Sequence, residues 1–519
     1  MAARLNWSPS TVLAALAVLV GVVESACPER CKCDTVNKVI DCNGAGLPAI
    51  PYDLPDPSGI KRLDLSGNKI SGLVAHIVSY MNLEVLDLRD NHMVSIDDNV
   101  LDSLPKLKYL YLSDNHLSSI NTRTFKNLKS LLRLDLSHNR LSQLEDNIFK
   151  DLTSVEDLSI AGNDISDISD NAFLGLGKLR SLNLDDNRLT AVPTRAVKHS
   201  PNLDELSLNF NHIDTINSHA FKQLKGLKKL GLQSNKIGFI SEIAFSDQEN
   251  ADLPQLQNLI LKGNKLDRVP TISLKHLTNL VHLDLSGNPI ERINSDSFKG
   301  LERLQEIHLN SMPMLEVVQK YAFSELISLK RVEMHSNRIL VTIEEGAFTA
   351  SPSIEYLDLH ACGLQTLSPN TLAWEDLKYL DLRFNPWLCD CKMQWLKSVL
   401  ATLPKSSIST KVACSQPSQL SQRLFLDVGP AEFACENKPE HEFQDHIMIA
   451  IFATFSGILI LAMLILFYRN GYFRHKNNQH NYTRYQNNSD SNSVPNLADH
   501  DQEALNIVPN ANGQAVNAV

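Results

Sequence analysis

Cysteine and histidine are the residues of this chain whose spacing could do chemistry. Four of the nine cysteines crowd between Cys27 and Cys42, four lie between Cys389 and Cys435, and Cys362 stands between the groups. Clusters this dense either hold zinc through thiolates or close disulfides, and the compartment decides which. His282, His308, His335 and His360 recur among Glu306, Glu333 and Asp358, a mixture that could bind zinc or sense pH. Only His335 and His360 are expected to share a column on neighbouring strands. These residues therefore read as solvated polar groups, and no metal or cofactor is assigned. His441-Glu442-Phe443-Gln444-Asp445-His446 is the nearest approach to a zinc-protease helix, but histidines five apart do not share a helix face. With no nucleophile elbow and no phosphate loop, the sequence speaks against an enzyme.

Two apolar runs set the compartment. Val12 to Val23 follows Arg4 and ends in Val23-Glu24-Ser25, which suits a signal peptide over residues 1–25 cleaved near Ser25 or Ala26. Ile447 to Tyr468 contains no charge, and its 22 residues at about 1.5 Å each would cross a hydrocarbon core of about 30 Å. Glu440, Glu442 and Asp445 precede this run and Arg469, Arg474 and Lys476 follow it, so the C-terminus is expected in the cytoplasm. Secretion makes disulfides the expected state of both cysteine clusters. The formal net charge is -10, and no basic stripe with interleaved aromatics suggests nucleic acid.

The elements between the clusters are repeats. An aliphatic residue, two others, aliphatic, one other, aliphatic, two others and Asn recur with Asn at 68, 91, 115, 139, 163, 187, 211, 235, 264, 288, 337 and 385. Met312 and Cys362 occupy two further steps, which makes fourteen repeats, most of them 24 residues long. The step from Asn235 to Asn264 is 29 residues, with Ser246 to Asp252 as extra loop. Units such as Leu134-Asp135-Leu136 predict short strands with leucines inward and the middle residue outward, stacked into one parallel sheet. No single repeat can form a dry core, so burial of each leucine depends on its neighbours. The Asn amide can donate to and accept from backbone groups that the following turn would leave buried. Phe125, Phe149, Phe173, Phe221, Phe245, Phe298, Phe323 and Phe348 form a second column, with Val197 and Leu274 in its gaps. Met312, followed by Pro313, lacks the amide, and a local irregularity is expected there.

This pattern resembles the extracellular leucine-rich repeat superfamily, in its 24-residue class, over residues 27–435. The resemblance implies an α/β repeat fold: a curved solenoid with a parallel concave β-sheet, disulfide-capped, plus one transmembrane helix. Cys27-Pro28-Glu29-Arg30-Cys31-Lys32-Cys33 with Cys42 is similar to the family's N-terminal flank and implies bridges Cys27–Cys33 and Cys31–Cys42. Asn385-Pro386-Trp387-Leu388-Cys389-Asp390-Cys391, with Trp395, Cys414 and Cys435, is similar to the C-terminal flank and implies Cys389–Cys414 and Cys391–Cys435. Cys362 sits where the family accepts Cys for Asn and reads as a buried thiol. The implied division is a cap at 26–59, repeats at 60–384, a second cap at 385–435, a stalk at 436–446, the membrane helix at 447–468 and a disordered cytoplasmic tail at 469–519.

Binding in such a fold is expected on the concave face. Arg89, Tyr109, Tyr111 and Arg133 form a combination enriched in protein-binding hot spots. Asp157, Asp185, Asp186, Asp204 and Glu205 beside Phe210 make an acidic stretch, and Lys228, Lys229 and Lys262 a basic one, so the face reads as electrically segmented. No Asn-X-Ser/Thr acceptor lies between the expected cleavage site and the membrane, whereas Asn481 and Asn487 lie in the tail. The resemblance implies a plasma-membrane, single-pass type I protein with an extracellular N-terminus that binds extracellular or cell-surface proteins, homophilically or heterophilically. A signalling receptor or co-receptor and an organiser of extracellular matrix are the alternatives. Tyr485-Gln486-Asn487 resembles a phosphotyrosine motif, so a cytoplasmic adaptor is a partner the tail could recruit.

Overall fold

A computed structural model of the chain describes residues 27–51, 57–73, 77, 79–247, 250–349, 351, 353–403, 411–433 and 440–477. The chain divides after Cys435 into two units, which are taken in turn. The first is organised by a sixteen-stranded sheet. It opens with an antiparallel hairpin of β1 (Lys32–Asp34) and β2 (Val39–Asp41), and β2 then pairs in parallel with β3 (Arg62–Asp64). From Val85–Asp87 to Tyr379–Asp381 the remaining strands add one at a time in parallel, so fourteen repeats supply fourteen strands. Register aligns like with like: Leu134, Leu158, Leu182 and Leu206 are successive partners and all are fully buried. Three-residue strands suffice because only the central residue of each must face the core, with its neighbours turned outward.

The turn after each strand is held by asparagine. Asn139 Nδ2 donates to Leu136 O at 3.1 Å and, across the repeat boundary, to Leu112 O at 3.0 Å, while Leu117 N donates to its Oδ1 at 3.0 Å. The acceptor contact comes from the residue two positions past the preceding ladder site, and the same offset recurs at Asn91, Asn163, Asn211 and Asn288. The irregularity at Met312 takes a definite form. Asn337 accepts from Met312 N itself, at 2.7 Å, and Met312 is fully buried with Pro313 next in the chain. Cys362 replaces the amide with a thiol that donates to Met334 O at 3.2 Å.

Opposite the sheet, the phenylalanines stack in runs. Ring centroids stand 6.0 Å apart for Phe125–Phe149, 6.2 Å for Phe149–Phe173 and 5.8 Å for Phe221–Phe245. Paired strands are only about 4.8 Å apart. Over these repeats the wider side is the outside of a bend, so the sheet there lines the concave face. Phe298–Phe323 and Phe323–Phe348 close to 5.4 and 4.5 Å, over the repeats where Arg292–Ile293, Val317–Val318 and Thr342–Ile343 form a second, three-stranded sheet. Val197 and Leu274 fill the gaps from one-turn helices, Thr194–Val197 and Thr271–Leu274, and both are buried. The extra residues of the long repeat pair Ser246–Asp247 with Asn250–Ala251 as an antiparallel hairpin.

Both ends are closed covalently. Disulfides join Cys27 to Cys33, Cys31 to Cys42 and Cys389 to Cys414. Cys391 is also disulfide-bonded, and Cys435 lies outside the described residues. At the C-terminal end Trp387 is fully buried and its indole N–H donates to Leu382 O at 2.8 Å, sealing the last repeat.

Among its described residues the second unit forms one helix, Glu440–Asn477, with Met448–Arg469 long and apolar enough to cross a membrane. This corrects two boundaries. The stretch expected as a stalk is helical from Glu440, and the segment expected to be disordered from residue 469 is helical as far as Asn477. No proline interrupts residues 440–477, and acids at the start with bases at the end suit the helix dipole. Residues 478–519 of the tail, and residues 1–26, lie outside the described residues.

Candidate functional site

The sheet presents outward side chains in columns fixed by register. One column runs Tyr109, Arg133, Asp157, Ser181, Glu205, Lys229, Asn258, His282, Glu306, Arg331, Tyr356 and Tyr379. Beside it run Asp87, Tyr111 and Asp135 near one end and Asp284, His308, Glu333, Asp358 and Asp381 near the other.

Four of the residues singled out near the N-terminal end form one patch. The Arg89 guanidinium lies 5.1 Å from the centroid of the Tyr111 ring and that of Arg133 lies 6.0 Å from it. Arg89 Nε donates to Asp87 Oδ1 at 2.9 Å, and Arg133 reaches Asp157 at 3.4 Å. Burial raises the Asp157 pKa and Arg133 opposes the rise. Tyr109 stands beside Arg133 in the column. Two cations packed over one tyrosine help to fix an aromatic platform.

The middle of the face differs from its reading as separate charged blocks. Lys229 pairs with Glu205 at 3.3 Å and Lys228 with Asp204 at 2.8 Å, so the acidic and basic stretches neutralise each other where they meet. Strand pairing sets residues 24 positions apart face to face, which a linear charge count does not register. Asp185 is spent on the turn, where its carboxylate accepts from Asn209 N at 2.7 Å, and Asp186 occupies a turn position at φ 52°. Lys262 follows the Asn258–Ile260 strand, and its carbonyl accepts from Ser234 N. Phe210 remains 51% exposed at φ 54°, a left-handed conformation costly for a bulky residue.

The densest constellation lies at the C-terminal end. Glu306 Oε1 is 2.8 Å from His308 Nε2 and 3.1 Å from Arg331 Nε, and its Oε2 is 3.3 Å from His282 Nδ1. Burial works against the Glu306 carboxylate, but His308 and His282 outweigh it and lower its pKa. The Arg331 guanidinium lies 3.7 Å from the Tyr356 ring centroid, and Tyr356 stacks on Tyr379 at 4.1 Å. Burial, with the Tyr379 hydrogen bond, pushes the Tyr356 hydroxyl far above its usual range. His335 and His360 stack at 4.6 Å, as their shared column implies, and burial lowers the His335 pKa. The structure adds an unexpected pair, His282 against His308, edge-on at 4.8 Å. Arg331, Tyr356, Tyr379 and Arg383 were missed, although they follow the same outward-position rule that selected Tyr109 and Arg133. Arg383 lies 5.4 Å from the ring centroid of Phe384, which is 75% exposed at φ 59°.

The comparisons agree with this architecture. A family profile described as "Leucine rich repeat" matches residues 81–141, 131–189, 177–237, 201–250 and 254–314, and one described as "BspA type Leucine rich repeat region (6 copies)" matches 291–385. The chain is similar to mouse transforming growth factor beta activator LRRC32, 37% identical over 100 residues, 19% of this chain and 15% of that protein. It is also similar to mouse oligodendrocyte-myelin glycoprotein, 32% identical over 78 residues, 15% of this chain and 17% of that protein. These matches span less than a fifth of either relative. Among solved structures the LRIM1/APL1C complex superposes with a TM-score of 0.57 at 23% identity, covering 81% of this chain and 72% of that one, a likeness of fold.

Proposed function

Because this chain belongs to the leucine-rich repeat superfamily, we propose that it is a cell-surface adhesion or recognition protein that binds other proteins through its concave sheet. One observation carries the reading: the parallel strands expose ordered columns in which Arg and Tyr stack at both ends of the face. Such residues dominate protein-binding energetics, and ones already packed lose little freedom on association. A relative described as an activator of transforming growth factor beta, and a neighbour seen in a complex, fit a role directed at proteins. The apolar helix Met448–Arg469, with acidic residues before it and basic residues after it, supports a type I plasma-membrane protein with its repeats outside.

Display of the full-length protein on non-adherent cells tests this. Clumping of expressing cells alone marks homophilic contact, and clumping only with cells bearing another protein marks heterophilic contact. Replacing Arg89, Tyr111 and Arg133 by Ala should abolish either form, while replacing the exposed Ile327 and Val341, which lie outside the strand columns, should not. Undiminished clumping by the triple variant refutes this use of the face.

A further inference from the structure

We propose that His282, Glu306 and His308 form a binding site for a divalent transition metal of the zinc class. The register puts His282 directly opposite Glu306, and His308 follows two residues later on the same strand and the same side of the sheet. Their ligand atoms all lie within 4.8 Å of one another. A zinc ion bound at about 2.0–2.1 Å holds tetrahedral ligands roughly 3.3 Å apart. The two imidazole–carboxylate separations here, 2.8 Å to one Glu306 oxygen and 3.3 Å to the other, lie at or just below that spacing. The two rings meet edge-on, with centroids 4.8 Å apart and an interplanar angle of 82°, so the imidazoles sit side by side without stacking face to face.

The donor set selects the metal. Two imidazole nitrogens and one carboxylate suit zinc and its neighbours, whereas calcium and magnesium demand oxygen. All three side chains project from strands of the continuous sheet, which holds ligands more rigidly than loops would. Charge is arranged in favour of the ion. Arg331 touches Glu306 but also bonds Glu333 twice and stacks on Tyr356, so it has partners to keep when Glu306 turns to a metal. Glu333 Oε2, 3.8 Å from His308 Nε2, supplies a second nearby negative charge. Binding through Nε2 requires the neutral His308 tautomer with its hydrogen on Nδ1, and the ion then takes the place of the His308–Glu306 hydrogen bond.

The neighbouring cluster of Asp358, His360 and Asp381 fails the same examination. Both oxygens of Asp381 are engaged by Arg383, at 2.8–3.3 Å. Three protein ligands at the first cluster leave a fourth position open to water or to an incoming side chain. The site rests on these residues alone and stands whether or not the face binds a protein.

The full-length protein in lipid nanodiscs decides the matter, with cobalt(II) as a visible surrogate and zinc as competitor. Cobalt should give absorption bands of a nitrogen–oxygen site that zinc abolishes. H282Q and H308Q should each weaken this binding at least about tenfold, and H360Q should leave it unchanged. On the native protein, zinc should protect His282 and His308 from diethyl pyrocarbonate, mapped by mass spectrometry, while His335 and His360 stay reactive. That arm decides even if a histidine variant does not fold. Equal modification of all four histidines with and without zinc, binding untouched by H282Q and H308Q, or a thiolate charge-transfer band pointing to Cys362 would each overturn the site.

Discussion

A single amide in this molecule serves two repeats at once. Asn163 Nδ2 donates to Ile160 O and to Leu136 O, both at 3.1 Å, and its Oδ1 accepts from Leu141 N at 3.0 Å. Truncation to Ala removes these bonds, and a further one from Nδ2 to Ala161 O at 3.2 Å, in a largely buried place where each unsatisfied group costs about 1–3 kcal/mol. Asn163→Ala should therefore lose about 3 kcal/mol in urea unfolding, and a loss near zero would mean that water repairs the turn. The thiol at the equivalent place in Cys362 is a weaker partner, and burial pushes its pKa up to about 12. A raised pKa leaves almost no thiolate at pH 8, so iodoacetamide should spare Cys362 in the folded protein and alkylate it once urea is added. Mass spectrometry reads the difference, and labelling of the native form would contradict the burial. The ladder was legible in the sequence because Asn is the side chain that can donate and accept at this turn. The His282–Glu306–His308 grouping was not, because it needs the register of two strands and a step of two residues along one of them.

Among the elements, the turn entering each ladder position has one backbone demand. Gly162, Gly263 and Gly287 occupy it at φ 64°, 67° and 69°, and Phe210 occupies it at φ 54°. A side chain there costs roughly 1–2 kcal/mol relative to glycine. Half-exposed Phe210 recovers little of that by burial. Phe210→Gly should thus raise stability by about 1 kcal/mol while weakening the proposed adhesion. Greater stability with adhesion intact would make the ring an accident. The strands were readable from their Leu-x-Leu spacing alone. The Ser246–Ala251 hairpin appeared only as surplus length, and the ion pairs Glu205–Lys229 and Asp204–Lys228 were hidden because each joins residues in different repeats.

For the whole molecule, orientation can be read from sugar. No acceptor sequence lies between Cys27 and His446, while Asn481 and Asn487 stand beyond the apolar helix. A type I protein should accordingly show no mobility change after peptide-N-glycosidase treatment. A shift mapping to Asn481 or Asn487 would place the tail outside and invert the proposed topology.

Asn337 takes its contact from Met312 rather than from a residue two places further on, and this has a consequence under load. In the proposed adhesion role the protein would be pulled along its length, and a rope parts at its poorest splice. The thioether passes no amide linkage to the coil before it, so the uninterrupted run from Asn68 to Asn288 ends there. Stretched between optical traps, the repeat domain should rip in two stages, with the shorter released length matching the coils beyond residue 312. One featureless rip would mean that the splice carries as much tension as the rest.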